Sequence, residues 1–139
     1  MNRRAAADGG SVAVEFVLLA PVLMLVLLFV VGAGRIAGAD ALVQGAASDA
    51  ARAASLTDSP AAAVAAARTA ATADLTGQQM NCTQLAVSVD TTLFRPGGLV
   101  RVSVACTADL SGLTGTGLPG HKTLTATMAA PIEIYRGLP

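Results

Sequence analysis

Between Phe16 and Gly34 the chain reads FVLLAPVLMLVLLFVVGAG, about nineteen residues without a charge. A helix rises 1.5 Å per residue, so this run covers the roughly 30 Å hydrocarbon core of a bilayer. Strand geometry would leave its backbone unpaired in lipid, so the stretch predicts a membrane-crossing helix. Pro21 lies inside it, cannot donate to the carbonyl of Val17, and predicts a local bend that neighbouring groups can absorb without ending the span.

One acid, Glu15, sits at the start of this run, five residues after Gly10. Ionised side chains cost about 2.5–3.5 kcal/mol at mid-bilayer on insertion scales, less toward the interface, so a carboxylate at this boundary calls for a partner. Cutting the chain between Gly10 and Ser11 creates one. The new α-amino group at Ser11 is a cation, and at a low-dielectric edge it attracts a neighbouring helix's Glu15 far more strongly than in water. The alternative is an interfacial Glu15 turned to lipid headgroups.

Met1–Gly10 carries Arg3 and Arg4 against Asp8. An excess of Lys and Arg on the short side of a span favours the cytoplasm, which predicts an inside amino terminus and an outside chain from Arg35 onward. An ordinary secretory signal is the competing reading, with Ala37-Gly38-Ala39 as a small-residue cut site. Against it stand the length of the apolar run and the acid at its start.

Gly10-Ser11-Val12-Ala13-Val14-Glu15 resembles the type IV prepilin signature, a Gly before the cut and a Glu five positions after it. The chain is more closely similar to TadE-like minor pseudopilins. Members typically read Val-Glu-Phe, a few apolar residues, Pro, a Leu-rich run and Gly-Arg, then an Ala-Arg-rich helix. Here these are Val14-Glu15-Phe16, Pro21, Leu23 to Val31, Gly34-Arg35 and Ala50-Ala51-Arg52-Ala53-Ala54, so the resemblance covers Gly10 to Leu56. The chain departs from the pattern just before Gly34-Arg35, where the family often has an acid and this sequence has Gly32 and Ala33. The resemblance implies a structural subunit of a bacterial Tad-type pilus or secretion assembly, with Glu15 and Phe16 at the assembly contact. It implies as partners a prepilin peptidase, other Tad pilus or pseudopilin subunits and an inner-membrane assembly platform.

Composition narrows the remainder. The chain has 139 residues, room for one small domain beside the span, and only 3% aromatic residues with no Trp, so large rings for a core are scarce. Nine basic and nine acidic residues cancel, which gives no electrostatic reason to expect nucleic acid. His121 is the only histidine and sits in a Gly-rich loop beside Lys122. No nucleophile, base and oxyanion set can be assembled, so neither enzymatic activity, a small-molecule substrate, a cofactor nor a metal is expected. Cys82 and Cys106 both follow the span. Outside the cytoplasm they can form a disulfide closing a loop of about 25 residues. A pair of free buried thiols is the alternative.

Beyond Gly34 small residues recur at Gly38, Ala41, Gly45 and Ser48, along one helix face. That is either a seam where another helix backbone approaches or simple Ala/Gly richness. A continuous helix from Ser11 to about Leu56 would form a stalk. Asp58 or Ser59 before Pro60 supplies the cap of a second, Ala-rich helix to about Leu75, which Gly77 ends.

After Gly77 the period changes to two. Leu85, Val87 and Val89 alternate with polar residues, as do Val100, Val102 and Val104, with Arg95-Pro96-Gly97-Gly98 between them. The expected pairing sets Val87 opposite Cys106, leaving Cys82 just outside the ladder. Leu110 to Gly120, with its glycines and Pro119, predicts a loop. A third strand carries Leu124, Ala126, Met128, Ala130, Ile132 and Ile134 on one side, with Pro131 at a sheet edge or near its end.

The expected fold is α+β: a long amino-terminal helix, transmembrane in its first half, a second Ala-rich helix and a small three-stranded antiparallel sheet. The expected segments are a cytoplasmic leader at 1–10, a transmembrane helix at 11–34, an extracytoplasmic stalk and second helix at 35–76, and a β domain at 77–139. The protein is expected in the bacterial cell membrane as a single-pass subunit in contact with lipid. Two other readings stand beside it. One is an uncleaved, membrane-anchored extracytoplasmic binding module, and the other a secreted protein cut after Ala39.

Overall fold

The structure is a computed structural model that describes residues 8–115, 117 and 119–135, and side chains from Val14 onward except at Leu113 and Thr114. Residues 1–7 of the expected leader lie outside the described residues. The order of elements is α1 (Asp8–Ser55), α2 (Pro60–Gly77), β1 (Gln84–Asp90), β2 (Leu99–Asp109), α3 (Leu110–Thr114) and β3 (His121–Pro131). The architecture is α+β, as the sequence implies.

Helix α1 is 48 residues long, roughly 70 Å, and runs through Pro21 without interruption. From Val14 to Val31 it is exposed. Its second half buries Ala39, Val43, Ala46, Ala47, Ala50, Ala51 and Ala54, a stripe at three- and four-residue spacing. Against this stripe lies α2, which buries Ala63, Ala67, Ala71 and Leu75 at every fourth position. Methyl side chains on both sides let the two helices and the sheet approach closely. The same smallness limits the apolar area each residue removes from water, so stability rests on contact along the whole stripe.

Both ends of α2 are capped, one as expected and one not. The Ser59 hydroxyl accepts from the Ala62 N–H at 3.2 Å, with Pro60 opening the first turn. At the other end the Gln79 N–H donates to the Thr76 carbonyl and the Met80 N–H to the Leu75 carbonyl. This is a Schellman reversal in which Gln79, at φ +57°, holds the left-handed position usually given to glycine. Gly77 is instead the last helical residue. The half-buried Met80 side chain packs on the core and completes the motif.

The three strands form an antiparallel meander in the order β1-β2-β3. Even-numbered residues of β2, from Val100 to Ala108, face the helices and are buried. Val87 and Val89 of β1, and Leu124, Ala126, Met128 and Ala130 of β3, share that face. The register differs from the expected one. Leu85 pairs with Cys106 and Val87 with Val104, a slip of two residues that leaves every side chain on its expected face. The connection after Asp90 takes up the difference. The Gly98 N–H donates to the Arg95 carbonyl at 2.7 Å across Pro96 and Gly97, whose φ of +74° suits the third position of a type II turn.

Two further expectations are corrected. The glycine-rich stretch opens with a helical turn, α3, closed by Gly115 at φ +67°, because Leu110–Thr114 precede the glycines that break it. Pro131 stands, as expected, at the end of edge strand β3, opposite Leu99, and the second departure is at Ile134. Among the described residues the last buried one is Ile132, held by its N–H to the Gly98 carbonyl, and Ile134 is 72% exposed because the chain has left the sheet.

The largest fully buried side chains are Ile132, Val43, Val100, Val102, Val104 and Cys106, none of them aromatic. A disulfide compensates. Cys82 and Cys106 are bonded with Cα atoms 5.4 Å apart, and Thr83 turns the chain back into the sheet through its N–H and hydroxyl, both donating to the Thr107 carbonyl.

Candidate functional site

The functional features fall on α1 and on the end of the sheet nearest its apolar half. Gly10 and Ser11 lie in the first turns of α1, where their backbone is helical and their side chains are outside the described residues. Glu15 stands one turn, about 6 Å, further along and is exposed. Among the described residues it makes no ion pair. Phe16 beside it is 72% exposed.

From Phe16 to Gly34 only Gly32 is even partly covered. Leu, Val and Phe side chains on every side of a helix have no place in water and need either lipid or other chains around them. The helix is long and apolar enough to cross a membrane.

The small-residue face is open except at its border, where Gly38 lines a cleft with the Gln78–Thr83 segment. Gly34, Gly38, Ala41, Gly45 and Ser48 are all exposed. A Cβ built on Gly34 or Gly38 meets nothing within 4 Å, and one on Gly45 would come to 4.0 Å from Asp74 Oδ2 of α2. So the chain does not use this face to pack on itself, and the buried stripe from Ala39 to Ala54 lies on the other side. Pro21 is likewise exposed.

Arg35, the first charge after the apolar run, marks a level. Its guanidinium lies against Gly115, where an added Cβ would sit 2.7 Å from Nη1. The β2–β3 connection therefore stands beside the point where α1 leaves its uncharged segment. Here too are Asp109 and His121, paired through Oδ1 and Nδ1 at 2.6 Å.

Two clefts open at this end of the sheet. One of about 500 Å3 is bounded by Arg35, Leu42, the Gln78–Thr83 segment and Asp109. The other, about 640 Å3, lies between Leu28, Phe29, Gly32 and Ile36 of α1 and the first residues of β3 from Lys122. Sequence reasoning did not single out these clefts. The apolar period of β3 was visible, but nothing local to Lys122 shows that it lands beside Phe29, far away in sequence. Among the described residues no group of three or more His, Cys, Asp or Glu could hold a metal ion.

Among the described residues one long apolar helix, able to cross a membrane by length and composition, carries a small, disulfide-closed α+β lobe. Residues 10–52 match the model of the TadE-like protein family, a segment that begins at Gly10 and ends within the buried part of α1. The amino-terminal helix is thus similar to that of TadE-like proteins. Comparison with curated proteins and with solved structures gives no match.

Proposed function

We propose that this chain is a minor pseudopilin-like structural subunit of a Tad-type pilus or secretion assembly, cut between Gly10 and Ser11 by a prepilin peptidase at the cytoplasmic face. The observation that carries this reading is the uncovered apolar helix opening with Glu15 inside the TadE-like segment. An exposed helix of this kind supports life in lipid before assembly and among other helices after it. Once cut, the Ser11 amine of one subunit answers the Glu15 carboxylate of the next and sets their axial stagger, while the uncovered Gly34–Ser48 face admits a neighbouring helix. Other Tad subunits and the inner-membrane platform are the partners, and the lobe with its disulfide is extracytoplasmic.

The bond to be cut lies in the helical backbone at the start of the described part of α1. Mass spectrometry of the mature amino terminus tests the reading, with Ser11 expected. Met1 would indicate an uncleaved anchor, and Asp40 a secreted protein. Gly10→Leu should leave the chain full-length, and normal processing of that variant counts against the peptidase assignment. Glu15→Ala should be cut normally yet enter the assembly several-fold less.

A further inference from the structure

We propose that the cleft between α1 and the start of β3 binds one anionic glycerophospholipid of the outer leaflet. The inference rests on the anchor reading above and goes beyond it. The cleft's lower wall is made of Leu28, Phe29 and Gly32, which belong to the uncharged run. Leu28 lies seven residues, about 10 Å, below Arg35 along the helix axis, so this wall is at the depth of acyl chains. Its upper wall is Lys122 to Thr125, at the level of the bilayer surface fixed by Arg35 against Gly115. The cavity thus crosses the boundary between hydrocarbon and headgroup, apolar below, with Lys122 and Asp40 as the charged groups of its lining.

Its volume, about 640 Å3, is within the range of roughly 300–1,000 Å3 in which proteins hold a ligand-sized molecule. Lys122 is exposed and makes no ion pair among the described residues. The carboxylate that also lines the cleft, Asp40, lies one turn beyond Ile36, farther from the span. A lipid phosphate beside Lys122 with an acyl chain along Phe29 and Ile36 satisfies both ends. A partner helix fits less well, because bulky Leu28 and Phe29 hold its backbone off. The small-residue face suited to helices lies on the far side of α1.

The test uses the full chain reconstituted in phosphatidylcholine vesicles containing a minor fraction of photoactivatable phosphatidylglycerol, or the same fraction of photoactivatable phosphatidylcholine. Alkaline carbonate extraction is run first. We expect lipid adducts on the peptides holding Leu28–Ala37 and Lys122–Thr125, several-fold more with phosphatidylglycerol. Lys122→Ala should lower that preference about fivefold, in line with the contribution of one interfacial lysine. Gly32→Leu, at a position where a Cβ meets nothing within 4 Å, should fill the cleft and remove the adducts on Thr123–Thr125. Equal labelling by the two lipids in a carbonate-resistant chain, unchanged by Lys122→Ala, overturns the lipid site and leaves the anchor standing. So does chain-to-chain cross-linking from a photoreactive residue at position 36 in place of lipid adducts. Release of the chain by carbonate overturns the anchor itself.

Discussion

The two halves of α1 are both apolar and both helical, yet they are filled with different side chains. Phe16–Val31 is mostly Leu, Val, Phe and Met, all uncovered, whereas the buried stripe from Ala39 to Ala54 is alanine at every position but Val43. Bulk suits a helix surrounded by mobile chains, which fill any gap beside it. Methyl groups suit a helix against which a second helix and a sheet must lie close, because fixed neighbours cannot rearrange around bulk. Side-chain size, more than hydrophobicity, separates the part that meets a medium from the part that meets protein.

The hardest way to break this contrast is a charge in the first half. Leu25→Arg should cost about 2.5–3.5 kcal/mol of membrane insertion at mid-span, read as loss of the carbonate-resistant fraction, with the lobe's thermal unfolding unchanged. Changing both Cys82 and Cys106 to alanine should do the reverse. Insertion stays normal, and the lobe loses roughly 3 kcal/mol, seen as a lower denaturation midpoint in detergent.

A size change separates the faces of the second half. Ala47→Leu, at a fully buried site, should overpack the contact and cost about 1–3 kcal/mol, while Ala41→Leu, on the open face, should leave the isolated chain unaffected. If Ala41→Leu nevertheless reduces entry into the assembly, that face is a contact between subunits.

The smallest effect is one of acidity, at the far end of the lobe. The Thr92 N–H and then its hydroxyl, both donating to Asp90 Oδ1, hold the Asp90 carboxyl below its usual range, with a lesser pull from Arg101 at 3.8 Å. A lowered folded-state pKa adds stability above the unfolded value near 4, lost as pH falls through the folded one. Asp90→Asn should therefore lower the lobe's stability slightly at neutral pH and leave it unchanged in strong acid, which flattens the acid limb of its stability curve.

The sequence made α1, α2 and the three strands legible because each is carried by a local pattern: an uncharged run, Ser59-Pro60, and alternation at positions such as Leu85, Val87 and Val100. The registers and ends were less so. Alternation is blind to a slip of two residues, so Val87 opposite Cys106 and Val87 opposite Val104 look alike until the turn at Pro96-Gly97 fixes the loop. Gln79 took the left-handed position because the Leu75 and Thr76 carbonyls needed donors there, a demand that composition at Gly77 does not reveal. At the candidate site, Gly10, Glu15 and the Gly34–Ser48 spacing were readable from the chain alone. Which way that spacing faces was not, since it depends on where α2 and the sheet settle.

Helix α1 passes Arg35 with no break between anchor and lobe. The lobe therefore has no swivel, and its heading is set by the rotational phase of the apolar half of the helix beneath it. One extra residue near Ala33 would turn the sheet by about 100° relative to Glu15, pointing the outer domain elsewhere while every local contact within it stayed intact.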